Sequence, residues 1–199
     1  PLAREATTNA EVTQAYCRLA FGDWEAGFHG YRKTLRTKWR KEREYPSANG
    51  GRTTEWQGEP DAVVIITTEQ GLGDEVMAAS VIMDAAKACK RIILDCDHRL
   101  APLFERSFPG VFVTPQRRVE QMVLPREVGL PTHHKSLFGL SELFRKTDAD
   151  FHRTPFLVPN QEYVGMFREL FGGQRTIGLA WSGGLPRTAQ EHRTAGLSA

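Results

Sequence analysis

Between residues 62 and 114, short β-branched runs alternate with helical patterns, and this alternation limits the chain to one class of fold. The runs AVVIITT, RIILDC and VFVT have the length and composition of buried strands. Residues 75–90 and 98–108, which separate them, space their apolar side chains as helices do. Parallel strands need crossover connections, so this order predicts an α/β fold with a parallel, doubly wound, Rossmann-like sheet, here assigned to residues 62–176.

A helical hairpin is predicted before the sheet. Residues 9–21 carry one apolar stripe, and a second helix is expected from Trp24 to about Lys38 after a Gly-Asp turn. We assign residues 1–45 to this hairpin, which has the form of one helical-repeat unit. Residues 46–61 are rich in Pro, Gly and small polar side chains, which is typical of a linker.

The pattern weakens after residue 114 and returns near the end of the chain. Helices are expected at residues 136–145 and 161–171. A strand is expected at 176–181, and it leads into a glycine loop.

Composition excludes several classes of protein. The chain of 199 residues is 40% hydrophobic and 25% charged, which is ordinary for a soluble globular protein. No apolar run approaches the ~18 residues that a membrane span requires, and no secretory signal is visible. The three cysteines form no C-x-x-C pair, which argues against a metal centre or a disulfide framework. These features together predict a cytoplasmic protein.

One basic segment raises a second functional hypothesis. The net charge is +2, but residues 31–43 alone carry +6, because seven Lys and Arg side chains oppose Glu42. Lys and Arg beside Tyr31 and Trp39 would suit phosphate contacts and base stacking in a nucleic-acid-binding module. The segment also ends a predicted helix, where cations are favoured, and a solvated helix face is the preferred interpretation. The basic residues are Arg32, Lys33, Arg36, Lys38, Arg40, Lys41 and Arg43.

The most informative motif is the run TTEQGLGDE at residues 67–75, where the first long strand meets its helix. Open α/β sheets bind ligands at the carboxyl ends of their strands. Gly71 and Gly73 would let a ligand approach the main chain and would allow backbone conformations closed to other residues. A Walker phosphate loop is excluded because no Gly-Lys-Ser/Thr follows.

Two interpretations of this turn stay open. A dinucleotide-binding G-x-G-x-x-G motif is half met, with Asp95 where a ribose-binding acid belongs, but Val76 replaces the third glycine. Asp74 would also put negative charge where a pyrophosphate should lie. Alternatively, Asp74 is a general base at the mouth of the sheet, although helix capping explains an acid at this position equally well.

Other polar and aromatic residues are weaker candidates. His134, in the run HHKS, precedes a helix at the same sheet edge and is a candidate acceptor contact, while metal binding lacks a third ligand. Asp97, next to His98, is interpreted as a capping residue. An aromatic surface on the hairpin could dock a protein partner, although burial against the α/β part is the simpler account; it consists of Trp24, Phe28 and Tyr31.

Several of these motifs together resemble those of a known enzyme family. The run EQGLGDEVMAAS, followed by a strand-helix-strand that ends in LAPLFERSFPGVFV, resembles the first half of heptosyltransferase-type glycosyltransferases of the GT-B fold. With GDWEAGF at residues 22–28 and WQGE at 56–59, the chain resembles bacterial proteins in which tetratricopeptide repeats precede such a module. The resemblance spans roughly residues 10–199.

The resemblance implies an inverting glycosyltransferase. Asp74 would deprotonate the hydroxyl of a sugar, lipid or protein acceptor that attacks a nucleotide-sugar, with no cofactor and no obligatory metal. The hairpin would be of the tetratricopeptide type and could bind a protein partner. Residues 177–199 would open the donor-binding domain, and because that domain stops at its first loop, the chain is expected to be inactive alone. Substrate contacts are expected at Gln70, Gly71, Leu72, Gly73 and His134, and diphosphate contacts at Ser182, Gly183, Gly184 and Arg193.

Overall fold

The computed structural model describes residues 2–33, 45–68, 71–117, 119, 122–173 and 175–178. The chain divides into two compact units, residues 1–158 and 159–199. Within the described ranges, no helix is both long enough and apolar enough to cross a membrane.

A five-stranded parallel sheet forms the centre of the first unit, which confirms the predicted α/β class. Its strands lie in the order β1-β5-β2-β3-β4. They are β1 (Thr54–Glu55), β2 (Val63–Thr67), β3 (Arg91–Asp95), β4 (Phe112–Thr114) and β5 (His133–Ser136). The helices of this part are α3 (Leu72–Ala78), α4 (Ile82–Ala88), α5 (Ala101–Ser107) and α6 (Leu137–Phe144), and 3-10 turns lie at Ala79–Val81 and Asp148–Asp150.

The two faces of the sheet are covered differently. Val64, Ile66 and Leu94 point to one face and cluster with residues of all four helices α3 to α6. Ile65 and Ile93 point to the opposite face and pack against Tyr45, Val128 and the neighbouring loop side chains. Right-handed crossovers put the connections from β2 to β4 on one face and the return from β4 to β5 on the other. The order reverses as a doubly wound sheet requires, but no helix occurs in the described part of that return segment.

Two strands differ from the sequence prediction. The segment 46–61, expected to be a linker, contributes the edge strand β1, and its Trp56 is fully buried. The segment HHKS, expected to be a loop before a helix, forms β5 between β1 and β2. Neither segment contains an apolar run, so the hydrophobic pattern does not mark it as a strand. Both strands form because their backbones pair with neighbouring strands.

The hairpin consists of α1 (Leu2–Ala20) and α2 (Trp24–Tyr31), so α1 begins earlier than expected. The end of the expected second helix lies in residues 34–44, outside the described part. The two helices pack closely where Gly30 meets Ala15 and Gly27 meets Leu19.

The hairpin packs against the α/β part through aromatic side chains. The Tyr31 and Phe138 rings lie 5.2 Å apart, and the Trp24 and Phe151 rings 4.6 Å apart. The Trp24 indole also donates to Asp148 at 2.7 Å. These contacts favour burial of the hairpin aromatics over a free docking surface.

Replacing Gly30 by Ala is expected to destabilise the hairpin, because the new methyl would stand 2.9 Å from the Cβ of Ala15. We expect a loss of about 1 to 2 kcal/mol, since overpacking costs roughly 1 to 3 and removing a helix glycine returns up to about 1. Urea denaturation followed by circular dichroism measures the effect. The double variant A15G/G30A exchanges the two residues and should recover most of the stability; a G30A protein as stable as the wild type would contradict the close packing.

The second unit contains α7 (Gln161–Phe171), at the bounds predicted from the sequence. The side chain of Asn160 accepts the N–H of Glu162 at its start, and Gly172 ends it in the left-handed conformation, with φ of 54°. Residues 175–178 belong to no helix or strand, and the rest of the strand expected at 176–181 lies outside the described residues.

Candidate active site at the carboxyl edge of the sheet

The strand order reverses at β2, and open α/β sheets bind ligands beside the carboxyl ends of the strands at such a reversal. The chain leaves β2 toward β3 and β4 on one side, while β5 lies on the other. Thr67, the last residue of β2, is opposite Asp95 of β3 and Ser136 of β5. The glycine turn follows β2, so the structure brings this motif to the switch point of the sheet.

The two glycines of the turn have ordinary backbone conformations, which corrects one sequence expectation. Gly71 precedes α3 with φ of −70° and ψ of 167°, and Gly73 lies within the helix. Neither has a positive φ, so a left-handed backbone conformation is not the reason for glycine at either position. A steric reason for glycine exists at Gly71, where a Cβ would lie 3.2 Å from the Asp74 carboxylate, but a Cβ on Gly73 would meet nothing within 4 Å. The helix surface at Gly73 is therefore open to a ligand, beside the half-buried Leu72.

Asp74 lies in the first turn of α3 with a half-buried side chain. Its Oδ2 accepts the backbone N–H of Gly71 at 3.0 Å, which is a capping interaction. Among the residues that the structure describes, none donates a hydrogen bond to Oδ1 of Asp74. The capping and general-base interpretations are compatible, because the described part of the chain holds one carboxylate oxygen of Asp74 and leaves the other without a donor.

Glu75 is a site residue that sequence reasoning missed. Its side chain is 1% exposed, its Oε2 accepts the backbone N–H of Asp97 at 3.1 Å, and the guanidinium of Arg117 binds Oε1. Burial raises the pKa of the Glu75 carboxyl, while the Asp97 N–H and Arg117 act in the opposite direction. Spacing carried the signal, because Glu75 stands three and seven positions before the buried Ala78 and Ile82 and so belongs to the inward face of the helix.

The raised pKa of Glu75 predicts how its contribution to stability depends on pH. A carboxyl group whose pKa is higher in the folded than in the unfolded protein binds its proton more tightly when folded. Its contribution is therefore complete below the unfolded value and is lost as the pH rises through the folded value. E75Q cannot ionise at this position. Relative to E75Q, the wild type should become more stable as the pH is lowered from about 7 to 4.5, which is the ordinary pKa of a glutamate carboxyl. Urea denaturation of both proteins across this range checks the sign, and a gain in the opposite direction would refute it.

The neighbouring acids are already engaged in the protein. Asp95 is buried, and its Oδ1 accepts the backbone N–H of Gln116 at 3.1 Å. The Tyr45 hydroxyl donates to its Oδ2 at 3.3 Å. Asp97 is also buried, and it accepts both the backbone N–H and the guanidinium of Arg99. The predicted helix-capping role of Asp97 is wrong: α5 begins at Ala101 with Leu100 at its N-cap, and Asp97 instead accepts the Arg99 N–H in the turn before the helix. Asp95, the residue that the dinucleotide interpretation needs, is committed to internal hydrogen bonds.

Of the remaining predicted site residues, the structure describes His134, which does not lie at this edge. His134 lies two residues inside β5, about 7 Å from the end of the strand, and its Nδ1 is 3.1 Å from the Thr53 hydroxyl. The other predicted contacts, at Gln70, Ser182, Gly183, Gly184 and Arg193, lie outside the described residues. Within the described ranges, no group of three or more His, Cys, Asp or Glu side chains is placed to hold a metal ion.

The described part of the basic segment is engaged in ion pairs. Arg32 binds Glu55 and lies 3.5 Å from Glu142, and Lys33 pairs with Glu11 at 2.8 Å. These pairs join the turn that follows α2 to the edge strand β1, to α6 and to α1. Arg36, Lys38, Arg40, Lys41 and Arg43 lie outside the described residues.

Comparison with known proteins finds one local similarity. The chain is 51% identical over 59 residues to Protein FlbA of Caulobacter vibrioides, a match that covers 28% of this chain and 10% of FlbA. The chain thus matches about a tenth of the length of that relative. No protein-family model matches the chain. No solved structure matches it.

Proposed function

We propose that this chain forms the acceptor side of an inverting glycosyltransferase that transfers a sugar from a nucleotide-sugar to a hydroxyl group, with Asp74 as the general base. One observation carries the proposal: the Asp74 carboxylate follows β2, where the strand order reverses, its Oδ2 accepts the Gly71 N–H, and no described residue donates to its Oδ1. The resemblance of the GLGD turn to heptosyltransferase-type enzymes supplies the reaction class.

This geometry suits activation of an alcohol. A hydroxyl is a poor nucleophile, and a carboxylate within hydrogen-bond reach can take its proton as the new C–O bond forms. The acceptor oxygen attacks the anomeric carbon, the bond to the nucleoside diphosphate breaks, and the configuration inverts because the displacement is direct. The open space over Gly73 leaves room for the acceptor beside Asp74. The donor contacts at Ser182, Gly183, Gly184 and Arg193 remain part of the proposal through the family resemblance.

The two alternatives have less support. A dinucleotide would place its pyrophosphate against the Asp74 carboxylate, and the acid expected to bind its ribose, Asp95, already has internal partners. A nucleic-acid-binding surface would need unpaired cations, whereas Arg32 and Lys33 form ion pairs within the protein.

The test is a transfer assay on the gene product that contains this chain. Candidate nucleotide-sugars are incubated with a panel of sugar, lipid and peptide acceptors, and release of nucleoside diphosphate is followed. We expect release that depends on the acceptor, with inversion at the anomeric carbon by proton NMR of the product and unchanged rates in EDTA. Retention of configuration, or release that is indifferent to every acceptor, would refute the proposal.

A further inference from the structure

Glu75 and Asp74 are adjacent in α3 but face opposite environments. Successive helix residues are rotated by about 100°, so Asp74 points away from the direction of Glu75, and its carboxylate meets the Gly71 N–H at the start of α3. Glu75 is almost completely buried and Asp74 is half-buried. The hydrogen bonds and the ion pair of the Glu75 carboxyl therefore also fix the rotation of α3 about its axis, and with it the direction of Asp74.

The contacts of Glu75 join α3 to the segments that follow β3 and β4. Asp97, whose N–H binds Oε2, lies two residues after β3, and Arg117, which binds Oε1, lies three residues after β4. One side chain thus connects α3, which follows β2, to the segments beyond the carboxyl ends of β3 and β4.

Apolar side chains in place of both Glu75 and Arg117 would avoid the desolvation cost of a buried ion pair, and such paired replacements are often neutral or stabilising. Core packing alone therefore gives no reason for glutamate. Directional bonds to two separate loops do give a reason for glutamate, because they define a single orientation of α3. Apolar contacts would specify that orientation less precisely.

We infer that Glu75 is a positioning residue, which fixes the Gly71–Asp74 turn on the sheet edge through its bonds to Asp97 and Arg117 and thereby sets the direction of the Asp74 carboxylate. The assignment of a catalytic purpose to this geometry rests on the proposed function. The geometric claim can be tested separately, without any substrate.

The backbone N–H of Gly71 is a spectroscopic reporter of the turn, because it donates to the Asp74 carboxylate. In proton–nitrogen correlation spectra of the 199-residue chain, D74A defines the resonance of Gly71 without this acceptor. E75Q should move the Gly71 resonance more than halfway from its wild-type position toward that of D74A, while amides in the middle of β2 and β3 keep their positions. E105Q makes the same chemical change on the exposed face of α5 and should leave Gly71 unmoved.

R117Q is the second variant, because it removes the partner and keeps Glu75. It should displace Gly71 in the same direction by a smaller amount, and it decides the matter if E75Q does not fold. The inference is overturned if Gly71 stays at its wild-type position in the folded variants, or if β2 and β3 amides move as far as Gly71. Displacement of Gly71 without any sugar transfer by the gene product would keep the positioning role and reject the proposed function.

Discussion

Replacing Asp74 by Asn in the gene product that contains this chain is expected to reduce kcat for sugar transfer by about 10² to 10⁴, the usual contribution of a general base. Asparagine has nearly the same shape, and its side-chain oxygen can still accept the Gly71 N–H that caps α3. What it loses is the ability to take the acceptor proton. We therefore expect the KM values for donor and acceptor to change little and the thermal stability to remain close to that of the wild type.

Two further variants separate base catalysis from helix capping. D61N removes one carboxylate from an exposed turn before β2 and should leave transfer unchanged. D74A loses both the base and the cap, so it should match D74N in kcat and lose about 1 kcal/mol more stability. If D74N keeps its transfer rate while D74A is less stable, Asp74 is only a cap, and the proposed function loses its base.

Replacing Trp56 by Ala is expected to cost about 3 to 5 kcal/mol of stability, the range for a large buried aromatic side chain. Trp56 is fully buried within the main core cluster, and its ring lies 6.0 Å from Phe144 of α6. Its indole N–H donates to the Glu59 carbonyl at 3.0 Å, so truncation also leaves that carbonyl without its donor. Urea denaturation followed by circular dichroism gives the free energy of unfolding.

Two controls locate the origin of that loss. W56F keeps most of the packing and removes the indole hydrogen bond, so it should cost less than half as much as W56A. F21A truncates an aromatic side chain that is 90% exposed and should change stability by no more than about 0.5 kcal/mol. A W56A protein with nearly wild-type stability would show that the segment around Trp56 is a dispensable linker after all.

Local sequence patterns predicted much of the architecture. The β-branched runs at β2, β3 and β4 are strands, and α5, α6 and α7 occur close to their expected positions. These elements bury enough of their own side chains to leave a periodic signal in the sequence. The long helix expected at residues 75–90 is instead α3 and α4, joined by a 3-10 turn, which apolar periodicity does not distinguish from a continuous helix.

The sequence alone determined the α/β class, because strands that alternate with helices require crossovers, and it placed Asp74 directly after a central strand. Tertiary structure decided the rest. Strands β1 and β5 exist through backbone pairing with neighbours distant in sequence, and that pairing leaves His134 inside a strand and Trp56 in the core. Glu75 became part of the site only when Asp97 and Arg117 were brought to it. The local hydrophobic pattern indicates which side chains are buried. Which loops the buried Glu75 carboxyl contacts depends on the order of the strands in the sheet.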